Sequence, residues 1–359
     1  MLALRLARGS RPLVQLRRLL VAAASAGTGF LLLYVLAEAL ERPAGSFPRL
    51  LWALVPLAAT VHFAVAVARA DPATRPREGL DIAGLGPVRL TLVAAISTAV
   101  ACTLGSALAL AAFLHLRGDL AGLPFDGAGG SLLHADRPLP VAAALTLLAL
   151  VPLAASAATA LTLRPGARRP LAPQTALPWG IAVTACGLAV EAYAGRGGAG
   201  MLTGWSLTAI GLALAGPGLA YACGTLIAAA RPGALRLLAG RALQEEAPRL
   251  GPPLGVLCAI AAGALSALAL RDRGGLLLPL GPLSGPAAAL VALCAAATLL
   301  TSAVEARQAR TAGREALLDL GTPAKVLRTA ASLRATALIA VCAPVSWGVA
   351  QLTSLALTH

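Results

Sequence analysis

The chain has 359 residues, 58% of them hydrophobic and only 12% charged, with a mean hydropathy of +0.80 and a formal net charge of +14. A water-soluble protein of this length could not hide so much apolar surface, so the composition excludes a soluble enzyme and makes the bilayer the expected solvent. The positive charge needs no nucleic acid to explain it and suits anionic lipid.

A membrane-crossing helix takes about 20 predominantly apolar residues. Nine segments qualify: 19–40, 50–68, 90–116, 139–163, 174–195, 202–230, 251–270, 285–304 and 329–356. The runs are continuous and do not alternate, which predicts helices and not a β-barrel. Ahead of the first, Leu4-Arg5-Leu6-Ala7-Arg8-Gly9 reads as a short basic helix at the inner interface, apolar face in lipid. The first span has no small-residue cleavage site and does not read as a removable signal peptide. Before the seventh span, Leu235-Arg236-Leu237-Leu238-Ala239-Gly240-Arg241 repeats the interfacial pattern. Between spans the loops are short. Arg117 to Pro138, rich in Gly, Asp and Pro, reads as irregular, and Leu276 to Leu280 is too short to span and is expected to dip into the outer interface.

With Met1 inside, inner segments carry 21 positive residues and outer segments seven. The positive-inside rule then puts the N-terminus in the cytoplasm and, after nine spans, His359 outside. The six cysteines all fall within spans, form no C-x-x-C and have no histidine at metal-ligand spacing, so they read as small packing residues. Glu38, His115 and Glu191 are expected near outer helix ends, where they reach water, and Arg334 is expected to snorkel to the inner surface. His62 alone reads as deep, and a lone histidine in a span is more often bonded within the bundle than part of a proton relay. No G-x-x-x-x-G-K-[ST], H-E-x-x-H or G-x-S-x-G occurs, so neither an ATP-binding P-loop nor a hydrolase site is expected, and no cofactor is implied.

The most informative feature is a repeat. Arg77-Glu78-Gly79-Leu80-Asp81-Ile82-Ala83-Gly84 matches Arg314-Glu315-Ala316-Leu317-Leu318-Asp319-Leu320-Gly321 as R-E-x-L-x-x-[A/L]-G. Each copy lies on the inner side between two spans. Each can form a short helix that ends at a glycine in the left-handed C′ position, with Pro87 or Pro323 soon after. Leu80 and Leu317 share a face with Arg77 and Arg314. On chemistry alone this reads equally as a docking element for another protein or as a solvated loop with ordinary helix stops. The order of interfacial helix, two spans, motif loop and further span occurs twice, which points to duplication.

The motif and the layout around it resemble FtsX-like permeases, the membrane subunits of mechanotransmission-class ABC transporters. The likeness covers the layout of most of the chain and, at motif level, about 20 residues per copy. It implies an all-α, polytopic membrane protein of about nine transmembrane helices. Two FtsX-like units, 1–165 and the shortened 233–359, would be joined by a linking pair of spans in 166–232. It implies a permease that is not itself an enzyme, sits in a bacterial plasma membrane, and couples ATP hydrolysis by a separate cytoplasmic ABC ATPase to export, extraction or signalling. The partner would be present in two copies, with membrane lipid and, given the shortened second unit, a second permease chain as further partners. Arg77, Glu78, Leu80 and Gly84, with Arg314, Glu315, Leu317 and Gly321, would form the two ATPase-coupling elements. Where many family members carry a large outer domain, this chain has only Glu41–Arg49 and Arg271–Gly285. A secondary transporter or a non-transport membrane scaffold is the alternative.

Overall fold

A computed structural model describes residues 12–42, 46–71, 87–120, 124, 126–164, 172–194, 198–229, 233–272, 283–311, 315, 319, 321 and 323–356. Among these every regular element is an α-helix. The long ones are α1 (Pro12–Glu41), α2 (Ser46–Ala70), α3 (Pro87–Arg117), α4 (Val141–Leu163), α5 (Pro173–Ala194), α6 (Gly198–Ala229), α7 (Ala234–Asp272), α8 (Ser284–Ala309) and α9 (Ala324–Ala356). All nine are long and apolar enough to cross a membrane. The expected segments near residues 4–9 and 276–280, the whole first motif copy (77–84), and Arg314 and Leu317 lie outside the described residues.

The chain divides into two compact units, Met1–Arg168 with Leu280–Cys294, and Arg169–Pro279 with Ala295–His359. Helix α8 is thus shared between them. In the first unit α1 packs on α2, α3 and α4. Its interior is built from small and hydroxyl-bearing residues. Ser25 donates to the Cys102 carbonyl (2.8 Å), Ser106 to the Leu148 carbonyl (3.2 Å), and the Thr28 and Thr60 hydroxyls bond each other at 2.7 Å. A Cβ at Gly105 would collide with the Ala22 carbonyl, so α3 approaches the α1 backbone there as closely as glycine allows. Some leucines and valines, such as Leu33, Leu148 and Val151, fill the interior, but many large aliphatics point outward. Val88, Leu92, Ile96, Val100, Leu104 and Leu108 form an exposed i, i+4 stripe down α3. Hydroxyls inward and branched aliphatics outward is the reverse of a soluble bundle and the arrangement lipid favours, because hydrocarbon rewards close packing and internal hydrogen bonds while giving no penalty for an apolar exterior.

The described part of the Arg117–Pro138 loop, expected to be irregular, is a series of turns over 124 and 126–136. Leu133 is 3% exposed and inserts among Leu33, Ala37, Phe113 and Ala144. The rim is polar. Glu38 Oε2 meets His134 Nε2 at 2.9 Å, Glu41 meets Arg137 Nε at 3.1 Å, and Arg117 Nε meets Asp119 at 3.1 Å while its Nη2 donates to the Arg137 carbonyl. Arg117 is thus a buried clamp, and Glu38, expected to reach water at its helix end, is partly shielded by His134 and Arg42. His134 holds a positive φ of 51° in this cap.

In the second unit α6 packs between α5 and α7, and α9 lies on α7, α5 and α6. The separate interfacial helix expected at 235–241 is not separate: α7 runs unbroken from Ala234 through Pro248, Pro252 and Pro253 to Asp272. Part of its apolar surface is buried in protein, with Ala239 and Leu243 against Cys223, Ile227 and Ala330, while Leu237 and Leu238 stay exposed. Packing on two neighbouring helices stabilises the helical path through three prolines, as is common where freed carbonyls are sheltered in a bundle.

Candidate functional site

The motif loops leave the bundle at the C-terminal ends of α2 and α8. The described residues nearest those exits show how each is rooted. Helix α2 closes on Arg69-Ala70 and is followed by Asp71, whose side chain is 12% exposed. Its Oδ2 meets Arg18 Nη2, on α1, at 2.8 Å. A cavity of about 30 Å³, room for about one water, lies beside the pair and is lined by Arg18, Asp71, Ala64, Ala68, Ala94 and Thr98.

Helix α8 closes at Ala309 and is followed by Arg310. Its guanidinium pairs with Glu246 Oε1 on α7, while its Nε donates to the Ala306 carbonyl at 3.2 Å. The other Glu246 oxygen meets Arg334 Nη1, on α9, at 3.4 Å. Glu246 is 9% exposed as a residue. In repeat order α1 corresponds to α7 and α2 to α8. Each loop is therefore tied at its root to the helix that opens its repeat, with the sign of the charges reversed: Arg18 to Asp71 in one, Glu246 to Arg310 in the other.

The two roots differ in strength. Arg18 is 46% exposed, and an exposed pair contributes at most about 1 kcal/mol. Glu246 is flanked by two guanidinium groups and largely shielded from solvent, so removing it would leave two cations without their carboxylate, each keeping only a backbone carbonyl on its own helix. Arg334, expected to snorkel to the inner surface, meets this carboxylate because α7 extends far enough back along α9 to bring Glu246 to it.

Of the residues singled out for the coupling loops, Glu315 and Gly321 are described. Glu315 is helical and exposed, one turn before the exposed, helical Asp319. Gly321 has φ of +87°, the left-handed conformation expected of it, with open space where a Cβ would stand. Arg77, Glu78, Leu80, Gly84, Arg314 and Leu317 lie outside the described residues.

His62, expected mid-span, lies on the outward-facing surface of α2 and is not turned into the bundle. Glu191, expected to reach water, is 0% exposed. Sequence reasoning passed over Glu246 altogether. The available signal was the Glu245-Glu246 pair, the acidic residues in the otherwise basic stretch from Arg231 to Arg249. Among the described residues no group of three His, Cys, Asp or Glu side chains is arranged to hold a metal ion.

Fold and exterior together define a multi-pass α-helical membrane protein. Compared with family models, with curated proteins and with solved structures, the chain matches none of them.

Proposed function

We propose that the chain is an FtsX-like permease subunit of an ABC transporter in a bacterial plasma membrane, coupling ATP hydrolysis by a separate cytoplasmic ATPase to export, extraction or transmembrane signalling. The observation that carries this reading is the paired rooting of the two repeated loops. An element that receives a push must pass it to a span without bending away, and an ion pair from loop root to neighbouring helix supplies that stiffness. Glu315 and Asp319, both helical in conformation and exposed, precede the left-handed turn at Gly321, which puts two carboxylates ahead of a sharp stop, a shape suited to docking. With no P-loop in the chain, the ATPase would be a second polypeptide.

The test is pull-down and turnover of a co-expressed ABC ATPase in detergent or nanodiscs. The permease alone should hydrolyse no ATP. Leu80→Asp and Leu317→Asp, which place a carboxylate in the docking ridge, should release the ATPase or uncouple its turnover. So should Gly84→Val and Gly321→Val, the latter forcing a β-branched residue into a φ of +87° at a cost of about 1–3 kcal/mol. Asp136→Asn is the control, exposed on the opposite cap and outside every ion pair described there. Arg117→Ala would be a poor control, because Arg117 is buried in that cap. Loop variants that bind and couple like the parent would reduce the motif to a helix stop and remove the support for this reading.

A further inference from the structure

The α5–α6 seam carries a constellation that the coupling loops do not use. Glu191 on α5 is fully buried, and Thr208 on α6 donates to its Oε1 at 3.0 Å. Among the described residues its Oε2 is buried and has no partner at hydrogen-bond distance in the geometry of the structure. The Thr353 hydroxyl on α9, 3% exposed, faces the same carboxyl. Neither α6 nor α9 brings a charged side chain into ion-pairing distance among the described residues.

Room for the group is built into both helices. A Cβ at Gly204 would collide with Glu191 Cγ, and a Cβ at Gly187 would collide with Thr208 Oγ1. Gly187 stands four residues before Glu191 and Gly204 four before Thr208, so each helix offers a glycine to the other's polar side chain. The seam is thus shaped around the carboxyl, and a packing-only interface would not need the pair.

We propose that Glu191 is a proton-binding site, carrying a hydrogen on Oε2 as the un-ionised acid while Thr208 donates to Oε1 and Thr353 accepts from the acid. A bare carboxylate in an apolar seam without a cation is strongly unfavourable, and a group so placed neutralises itself instead. A hard metal ion would want more oxygen ligands than one carboxylate and two hydroxyls supply. The ligand is therefore a proton, and its release would put an unpaired charge among α5, α6 and α9. This site stands apart from the permease reading and holds for any transport or scaffold role.

Infrared difference spectroscopy on the full chain in nanodiscs at neutral pH tests it directly. The carbonyl stretch of an un-ionised carboxylic acid should be present, should shift in heavy water, and should vanish in Glu191→Gln. Identical spectra for the two proteins would overturn the proposal. Glu191→Gln is also a neutral isostere of the acid, able to accept from Thr208. It should unfold at the same temperature as the parent, whereas marked destabilisation would mean that the parent's carboxylate is ionised and paired. As a chemical readout, dicyclohexylcarbodiimide, which takes the acid's proton on nitrogen and bonds the carboxyl oxygen at carbon, should label the parent at Glu191. Labelling should fade as the membranes are titrated alkaline and fall to background in Glu191→Gln. Equal labelling of both at this peptide would count against the site.

Discussion

At the scale of single residues, the interior of this protein is organised by a few polar groups whose value depends on what shields them. Glu246 and Asp71 perform the same task at the two loop roots, yet their removal should differ in cost. Glu246→Gln leaves Arg310 and Arg334 facing a neutral amide, and because Arg310 is itself 36% exposed the loss should lie between the about 1 kcal/mol of an exposed pair and the about 3–5 kcal/mol of a fully buried one. Arg18→Ala breaks a pair whose cation is half in solvent, and about 1 kcal/mol or less is expected. Thermal unfolding of both variants in the same detergent checks the order; a larger loss for Arg18→Ala would reverse it. Added salt should weaken the Arg18–Asp71 pair more than the Glu246 cluster, because only exposed charges are well screened.

At the scale of elements, the 118–140 cap and helix α7 both depart from their sequence reading for the same reason: each is decided by what it packs on. Glycine, proline and aspartate in the cap signal turns correctly, but not that Leu133 is seated in the α1–α3–α4 core or that Arg117, Arg137, Glu38 and His134 cross-link its rim. Leu133→Ala should therefore cost about 2–5 kcal/mol, the range for emptying a buried leucine site, and should make the cap the first place cut in limited proteolysis. Unchanged cleavage kinetics in that variant would show the cap is held by its ion pairs alone. In α7 the stretch Leu235 to Arg241 reads as a separate interfacial helix with its apolar face in lipid, although Ala239 and, one turn on, Leu243 are buried in protein. Helices α6 and α9 bury those two residues, and the helix continues.

At the scale of the whole molecule, the nine spans, the repeat and the arginine bias combine into one topology. With Met1 inside and nine crossings, a periplasm-active reporter fused at His359 should work and a cytoplasm-active one should be silent. A bright cytoplasmic reporter there would mean one crossing fewer or more and would overturn the nine-span topology, though not the membrane assignment. Reporters placed in the two motif loops would then tell whether both still face the cytoplasm, as two ATPase contacts require.

The class of protein was legible in the chain alone. Long apolar runs leave no alternative once the cost of unpaired backbone groups in hydrocarbon is counted, and eight of the nine helices begin and end within about seven residues of the segments drawn from hydropathy. The left-handed turn at Gly321 was legible too, since glycine after a helix and before Pro323 is a local signal. What only tertiary structure decided is which polar residues face protein. Hydropathy measures how far along a helix a residue lies, not toward which neighbour it points. Glu191 and Glu38, near helix ends, were therefore expected in water, and Glu246 drew no notice in a basic stretch. Their partners, Thr208, His134 and the arginines 310 and 334, lie 17, 96, 64 and 88 residues away along the chain (208 − 191, 134 − 38, 310 − 246 and 334 − 246). Separations of that kind are set by helix packing, which no local pattern encodes.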